Sequence, residues 1–265
     1  TTPELPPLIV IAGATATGQT GLGVALAQAL PGAEIVSADS RQVYRGMDIA
    51  TAKPSAEELR AAPHHCLDLV DPDERFTAAD YRVAARGALA DIARSGGIAL
   101  LVGGTGLYLR AIARGLPLGT GDSDPAVRAE LDARYAQDGL EPLVAELRTR
   151  DSDGAAIIDL RNPRRVVRAL ERARLTGSAL PPAPQGYPAP VTWLGLSLDP
   201  VAHRRRIRAR IEDHFEAGLL DEAARLRERY PEDLPAFSAM GYREAFNVLA
   251  ERCTRGEARE RDANR

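Results

Sequence analysis

The run Gly13-Ala14-Thr15-Ala16-Thr17-Gly18-Gln19-Thr20 has the spacing of a Walker A phosphate loop, with glutamine where lysine is expected. Such a loop works mostly through its backbone. Amides at a helix amino terminus converge on an anion, the helix dipole favours negative charge, and glycines let phosphate oxygens come close. Gln19 can donate a hydrogen bond and Thr20 can offer its hydroxyl to a magnesium ion, but neither supplies the compact positive charge that would neutralise a departing phosphate. Taken alone, the segment reads equally well as a glycine-rich turn with no ligand. A second loop, Ser37-Ala38-Asp39-Ser40-Arg41-Gln42, sets Asp39 at a strand end beside the first. A carboxylate there serves as a base, a metal ligand or a cap, and the pattern leaves all three open.

The elements that must hold these loops are legible in the hydrophobic pattern. Leu8 to Ala12, Glu34 to Ala38 and Ile98 to Val102 are short apolar runs, each breaking into a polar or glycine-rich loop at its carboxyl end. The helical pattern LGVALAQAL follows the first. Strands alternating with helices imply a parallel sheet covered on both faces, with ligands at the carboxyl ends of the strands. From Asp122 to about Tyr187 strand signals vanish and apolar residues recur at helical spacing, which predicts a helical insertion. Val191 to Leu198 returns to the sheet, and the remainder is helical. The expected organisation is a core at 1–121, the insertion at 122–189, and the rest of the core at 190–265. Arg206 and Arg210, four apart, share a helix face. The terminal RGEARERDANR, highly charged, is expected to fray.

Composition narrows the field. The 265 residues are 45% apolar, enough for a packed interior, and no apolar run approaches the roughly 20 residues that cross a bilayer. The opening segment lacks the features of a secretory signal, so a cytoplasmic protein without membrane contact is expected. A formal net charge of −3 means that nucleic-acid binding would need local basic patches. Lys53 is the single lysine, so nearly all positive charge is arginine, which suits bidentate phosphate contacts. Cys66 and Cys253 lack zinc or disulfide spacing and read as buried or idle thiols. His64 and His65 read as structural hydrogen-bonding groups, Trp193 as core, and Arg164, Arg165 and Arg168 as a face that is either solvated or bound to RNA.

Taken in order, the motifs resemble the tRNA dimethylallyltransferase family. Its phosphate loop reads GPTASGKT and is followed by ISADSxQVYRGMDIGTAKP, to which residues 37–54 here are similar. The segment 63–68 with Asp71, Pro72 and Glu74 is similar to its PHHLID, DP and E pattern, and 103–108 matches GGTGLY. Asn162 to Glu171 resembles NDxxRxxRALE, and Arg206, Arg210, Gly218 to Glu222 and Met240 to Glu244 resemble RIxxR, GLLxE and IGYxE. Gln19, Ala14 and Thr17 depart from the family's lysine, proline and serine, and the tail matches its ending only in the first half.

The resemblance implies an α/β fold with a P-loop NTPase-like parallel sheet flanked by helices and a helical insertion domain. It implies transfer of a dimethylallyl group from dimethylallyl diphosphate to the exocyclic amine of the adenosine 3′ to the anticodon. Gly13, Thr15, Ala16, Thr17, Gly18, Gln19 and Thr20 would hold the diphosphate, with Mg2+ near Thr20 and further contacts from Arg206 and Arg210. Asp39 would be the general base, and Thr105 would orient the leaving oxygen. Asp39, Ser40, Arg41 and Gln42 would meet the flipped-out nucleotide, while Arg128, Arg164, Arg165 and Arg168 would touch the anticodon stem-loop of a tRNA bound by a monomer. Two other readings stand beside this one: a small-molecule kinase built on the same strand-loop-helix, and a tRNA-binding relative weakened by the absence of the loop lysine.

Overall fold

In the computed structural model, which describes residues 5–118 and 123–263, five parallel strands form one sheet in the order β3-β2-β4-β1-β5. They are β1 (Leu8–Gly13), β2 (Ala33–Ser37), β3 (His64–His65), β4 (Ile98–Gly103) and β5 (Val191–Leu196). β1 and β4 are apolar up to their closing glycines, and β2 is apolar at Ile35 and Val36, because both faces of the sheet are covered. Alternate residues go to opposite sides. Ile11, Ile35, Leu100 and Val102 meet Leu22, Val24 and Leu26 of helix α1 (Gln19–Ala29). Val10, Val36 and Leu101 face a larger core with Tyr81 and Leu89 of α3 (Ala78–Arg94) and Leu109 of α4 (Gly106–Ala113); the short α2 (Ala56–Ala61) lies between α1 and α3 in sequence.

This wiring creates the crevice. β1 and β4 are neighbours in register, yet α1 leaves β1 onto one face while α4 leaves β4 onto the other. Loops that part in this way at adjacent strand ends open the ligand position of a parallel sheet. β3 was not evident from the sequence, because two residues carry no periodic signal.

Two compact units emerge, Leu5–Arg114 with Gly186–Ala263 and Gly115–Gln185, so far as the described residues define them. The second holds α5 (Pro125–Asp138), α6 (Glu141–Arg150), α7 (Ser152–Ile157) and α8 (Pro163–Thr176) around Leu131, Leu143, Leu147, Val166, Val167 and Leu170. Its limits fall earlier than the expected 122–189. The loop after residue 185 belongs with the sheet, where the Tyr187 hydroxyl donates to the Pro6 carbonyl at 2.9 Å and the Gly186 amide donates to Arg114 at 3.1 Å. Glu171 is fully buried in the helical unit and accepts hydrogen bonds from Arg128, Arg168, Ser123 and the Asp124 amide. Burial raises its carboxyl pKa, but the guanidinium and amide hydrogen bonds outweigh that and hold it below the usual range.

The first unit ends in α9 (Pro200–Glu216), α10 (Leu219–Arg229), a 3-10 turn (Pro235–Ser238), α11 (Tyr242–Leu249) and α12 (Arg255–Ala263). The expected fraying of the tail is corrected as far as Ala263: Ala258 is buried, and the buried Asp262 carboxylate accepts the Gly241 amide at 3.0 Å. Trp193 is also corrected, from core to surface. It lies on edge strand β5 and is 43% exposed, with the Arg114 guanidinium 5.7 Å from its ring centre. Cys66 is buried, and burial pushes its thiol up to about 12, which leaves it protonated and unreactive. No helix among the described residues is long and apolar enough to cross a membrane.

Candidate active site

The loop after β1 is a built turn. Gly18 takes a left-handed φ of 98° at the start of α1, a conformation that excludes most side chains. The buried Thr17 hydroxyl donates to the Ala14 carbonyl at 2.8 Å. Gln19 turns back so that its amide nitrogen donates to the Gly13 carbonyl at 2.9 Å. The residue in the lysine position therefore closes the loop on itself. Thr17 likewise supports the turn from inside, while Thr15 and Thr20 line the open side.

Asp39 enters from β2. The β4 end approaches so closely that a Cβ at Gly103 would collide with the Ala38 carbonyl, and the Ala38 and Thr105 amides donate to Val102 and Ala38 at 2.7 and 3.1 Å. Thr105 is thereby set against the second loop, where its hydroxyl accepts the Ser40 amide at 3.0 Å. The Arg41 amide donates to Asp39 Oδ1 at 2.7 Å, so the carboxylate does cap its own turn. The same carboxylate lines two cavities, of about 260 and 270 Å³, whose shared walls are Thr15, Asp39, Arg41 and Arg210. One is bounded by Gln19, Thr20, Gly104 and Thr105, the other by Ala50, Ile207, Ile211 and Met240.

The neighbours of Asp39 take other duties. The Arg41 guanidinium donates to the Pro235 and Ala236 carbonyls at 2.9 and 3.3 Å and to the Ser238 hydroxyl at 2.9 Å, clasping the wall of the apolar cavity. Gln42 is buried, accepting from Ser37 at 2.9 Å and donating to the Thr51 and Ala52 carbonyls at 3.2 and 3.0 Å. Lys53 is buried along its stem and bonds to Tyr44, Asp48 and Asp68, pinning the loop from below. His64 Nδ1 donates to the Ala62 carbonyl at 2.8 Å and His65 Nε2 pairs with Glu34 at 2.6 Å, both structural contacts.

A third element completes the site. His203, Arg206 and Arg210 lie at i, i+3 and i+7 on α9, one helix face. His203 Nε2 lies 2.8 Å from the Thr15 carbonyl, Arg206 donates to the Thr17 carbonyl at 3.4 Å, and Arg210 donates to the Thr15 hydroxyl at 3.1 Å. Burial lowers the pKa of Arg210, with the Asp39 charge pushing the other way. Neither Arg206 nor Arg210 has a carboxylate within ion-pair distance among the described residues. The spacing pointed to both arginines; the sequence reading passed over His203, which continues their face.

In the helical unit Arg128 and Arg168 are bound to buried Glu171, while Arg164 and Arg165 are exposed, the latter 3.5 Å from Asp159. As for metal, no cluster of three or more His, Cys, Asp or Glu side chains suited to an ion exists among the described residues. Thr20 stands on the cavity wall at the first turn of α1. One protein oxygen supplemented by substrate phosphates and water is an ordinary donor set for Mg2+.

The IPP transferase family model matches residues 42–265, and an isopentenyl transferase model matches residues 6–75. A tRNA dimethylallyltransferase of Roseiflexus sp. (strain RS-1) is 47% identical over 255 residues, covering 95% of this chain and 83% of that protein. One from Bacillus velezensis is 37% identical over 247 residues, covering 92% and 78%. Among solved structures, the tRNA isopentenylpyrophosphate transferase of Bacillus halodurans superposes with a TM-score of 0.70 at 39% identity, covering 97% of this chain and 82% of that one. A eukaryotic dimethylallyltransferase acting on tRNA gives a TM-score of 0.81 at 26% identity, over 98% and 66%.

Proposed function

The chain belongs to the IPP transferase family, the tRNA dimethylallyltransferases, and on that premise we propose that it prenylates the adenosine 3′ to the anticodon. It is a transferase that moves a dimethylallyl group from its diphosphate to tRNA, and the small-molecule kinase reading is not favoured. The observation that carries the finer reading is the shared wall: Asp39 and Thr15 bound both cavities, so a donor held by the phosphate loop and a base entering from the other side meet at the carboxylate.

In this reading the diphosphate lies on the α1 amino terminus between Thr15 and Thr20, with Arg206 and Arg210 across from it. An exocyclic amine is a poor nucleophile and an allylic diphosphate a good electrophile once its leaving charge is neutralised, so catalysis is alignment and leaving-group stabilisation. Asp39 accepts the amine proton as the C–N bond forms and the C–O bond breaks, and Thr105 directs its hydroxyl at the departing oxygen. Thr20 would hold Mg2+, which when bound spreads the charge of the leaving diphosphate. Asp39 and Ser40 contact the extruded nucleotide, whose unstacking costs roughly a few kcal/mol. Arg41 and Gln42 act there by holding the walls. Arg164 and Arg165 face the anticodon stem-loop, and Arg128 and Arg168 support that face through Glu171. The enzyme works as a cytoplasmic monomer.

The test is incubation with labelled dimethylallyl diphosphate, magnesium and bulk tRNA, followed by nucleoside analysis. Label is expected in N6-dimethylallyladenosine. Unlabelled RNA from a protein that still binds tRNA would favour the weakened relative, in which Gln19 leaves binding without turnover.

A further inference from the structure

Arg210 stands at the junction of the two cavities, and the side chain that holds it there is not part of the phosphate loop. One turn further along α9, His214 Nε2 lies 3.4 Å from Arg210 Nε. The guanidinium nitrogen can only donate, so the imidazole nitrogen must accept, which fixes the neutral tautomer with its proton on Nδ1. The environment agrees: burial, and then the neighbouring Arg210 charge, push the His214 pKa down to about 4. The opposite end of the guanidinium donates to the Thr15 hydroxyl at 3.1 Å. Two anchors at two different nitrogens define the plane of the group and leave its remaining N–H bonds for the cavities that Arg210 lines. A flexible arginine without the second anchor loses side-chain freedom only when the anion arrives, which weakens binding.

We propose that His214 is a positioning residue for the donor diphosphate: as a neutral acceptor on Arg210 Nε, it presets the guanidinium toward the anion held by the Thr15 to Thr20 loop. This rests on the reading of that loop and Arg210 as the donor site. His214 also lines the apolar cavity beside Asp39, but the role assigned here is carried through Arg210. The substitution that keeps an acceptor near the Nε2 position is His214→Gln; His214→Leu keeps the bulk and removes the acceptor.

The experiment measures the Kd of inorganic pyrophosphate by calorimetry and the KM and kcat for dimethylallyl diphosphate. The proteins are the wild type, His214→Leu, His214→Gln, Arg210→Gln and the double variant His214→Leu/Arg210→Gln, each checked by thermal melting. His214→Leu is expected to raise the pyrophosphate Kd and the donor KM about tenfold, equivalent to about 1.4 kcal/mol. His214→Gln should stay within about threefold of wild type, and in the Arg210→Gln background the leucine should add nothing, as coupling through one group requires. If His214→Leu does not fold, His214→Asn, whose oxygen falls short of the Nε2 position, must bind pyrophosphate more weakly than His214→Gln. Wild-type affinity in His214→Leu, or an equal loss with and without Arg210, overturns the proposal. If Arg210→Gln binds pyrophosphate as the wild type does, the donor-site reading has failed instead.

Discussion

The helical unit and the sheet unit both carry buried or half-buried arginines, and they treat them in opposite ways. In the helical unit charges cancel locally. Glu146 accepts from Arg134, Arg150 and Arg174, and although burial raises its carboxyl pKa, these hydrogen bonds prevail and hold it at about 2. Arg174 responds in kind: burial would lower its pKa, yet Glu130 and Glu146 raise it. At the phosphate loop the charges are held apart. Arg210 meets a hydroxyl and an imidazole, Arg206 meets a carbonyl, and Asp39 meets a backbone amide. A guanidinium whose hydrogen-bond partners are all neutral is still short of an anion. The difference separates charges that build the protein from charges that wait for a substrate.

The sharpest way to break this contrast is to neutralise one carboxylate in each region. Asp39→Asn should lower kcat by roughly 10² to 10⁴, the usual contribution of a general base, with tRNA affinity and melting temperature unchanged. A retained rate would remove Asp39 from the chemistry. Glu171→Leu should do the reverse, destabilising the protein by about 3–5 kcal/mol because Arg128 and Arg168 lose a buried partner. Denaturant unfolding measures it, and an unchanged midpoint would mean that Glu171 is not structural.

Smaller effects refine the comparison. Gln19→Lys adds a cation to a loop that has none of its own at residues 13–20, and a rise in turnover of about tenfold is expected, with RNA affinity barely altered. Equal turnover would show that the bond from position 19 to the Gly13 carbonyl is all that the loop requires there. Arg164→Ala with Arg165→Ala should weaken tRNA binding a few-fold and flatten its salt dependence, each lost phosphate contact reducing the slope by about 0.7–0.9. An unaltered salt slope would mark both residues as solvated surface.

The four longer strands were legible because short apolar runs ending in glycine or polar loops allow few alternatives, and the shared face of Arg206 and Arg210 followed from helical spacing alone. The loop pattern singled out Asp39, and the family motifs added its expected role as base and Thr105. What escaped the sequence depends on long-range contacts: Arg41 clasps carbonyls of the 235–238 turn, Lys53 bridges Asp48 and Asp68, and Arg128 and Arg168 converge on one glutamate. None of these pairings has a periodic signature. Trp193 misled because an aromatic in a strand is ordinarily core, whereas β5 is the edge of the sheet.

The most direct test of the contrast is pyrophosphate affinity in the presence of magnesium, measured on Arg206→Gln, Arg210→Gln and, as a control from the helical unit, Arg128→Gln. The two α9 variants should bind at least about tenfold more weakly while the folded control matches wild type. Equal affinity in all three would contradict the assignment of these unpaired guanidiniums to the donor.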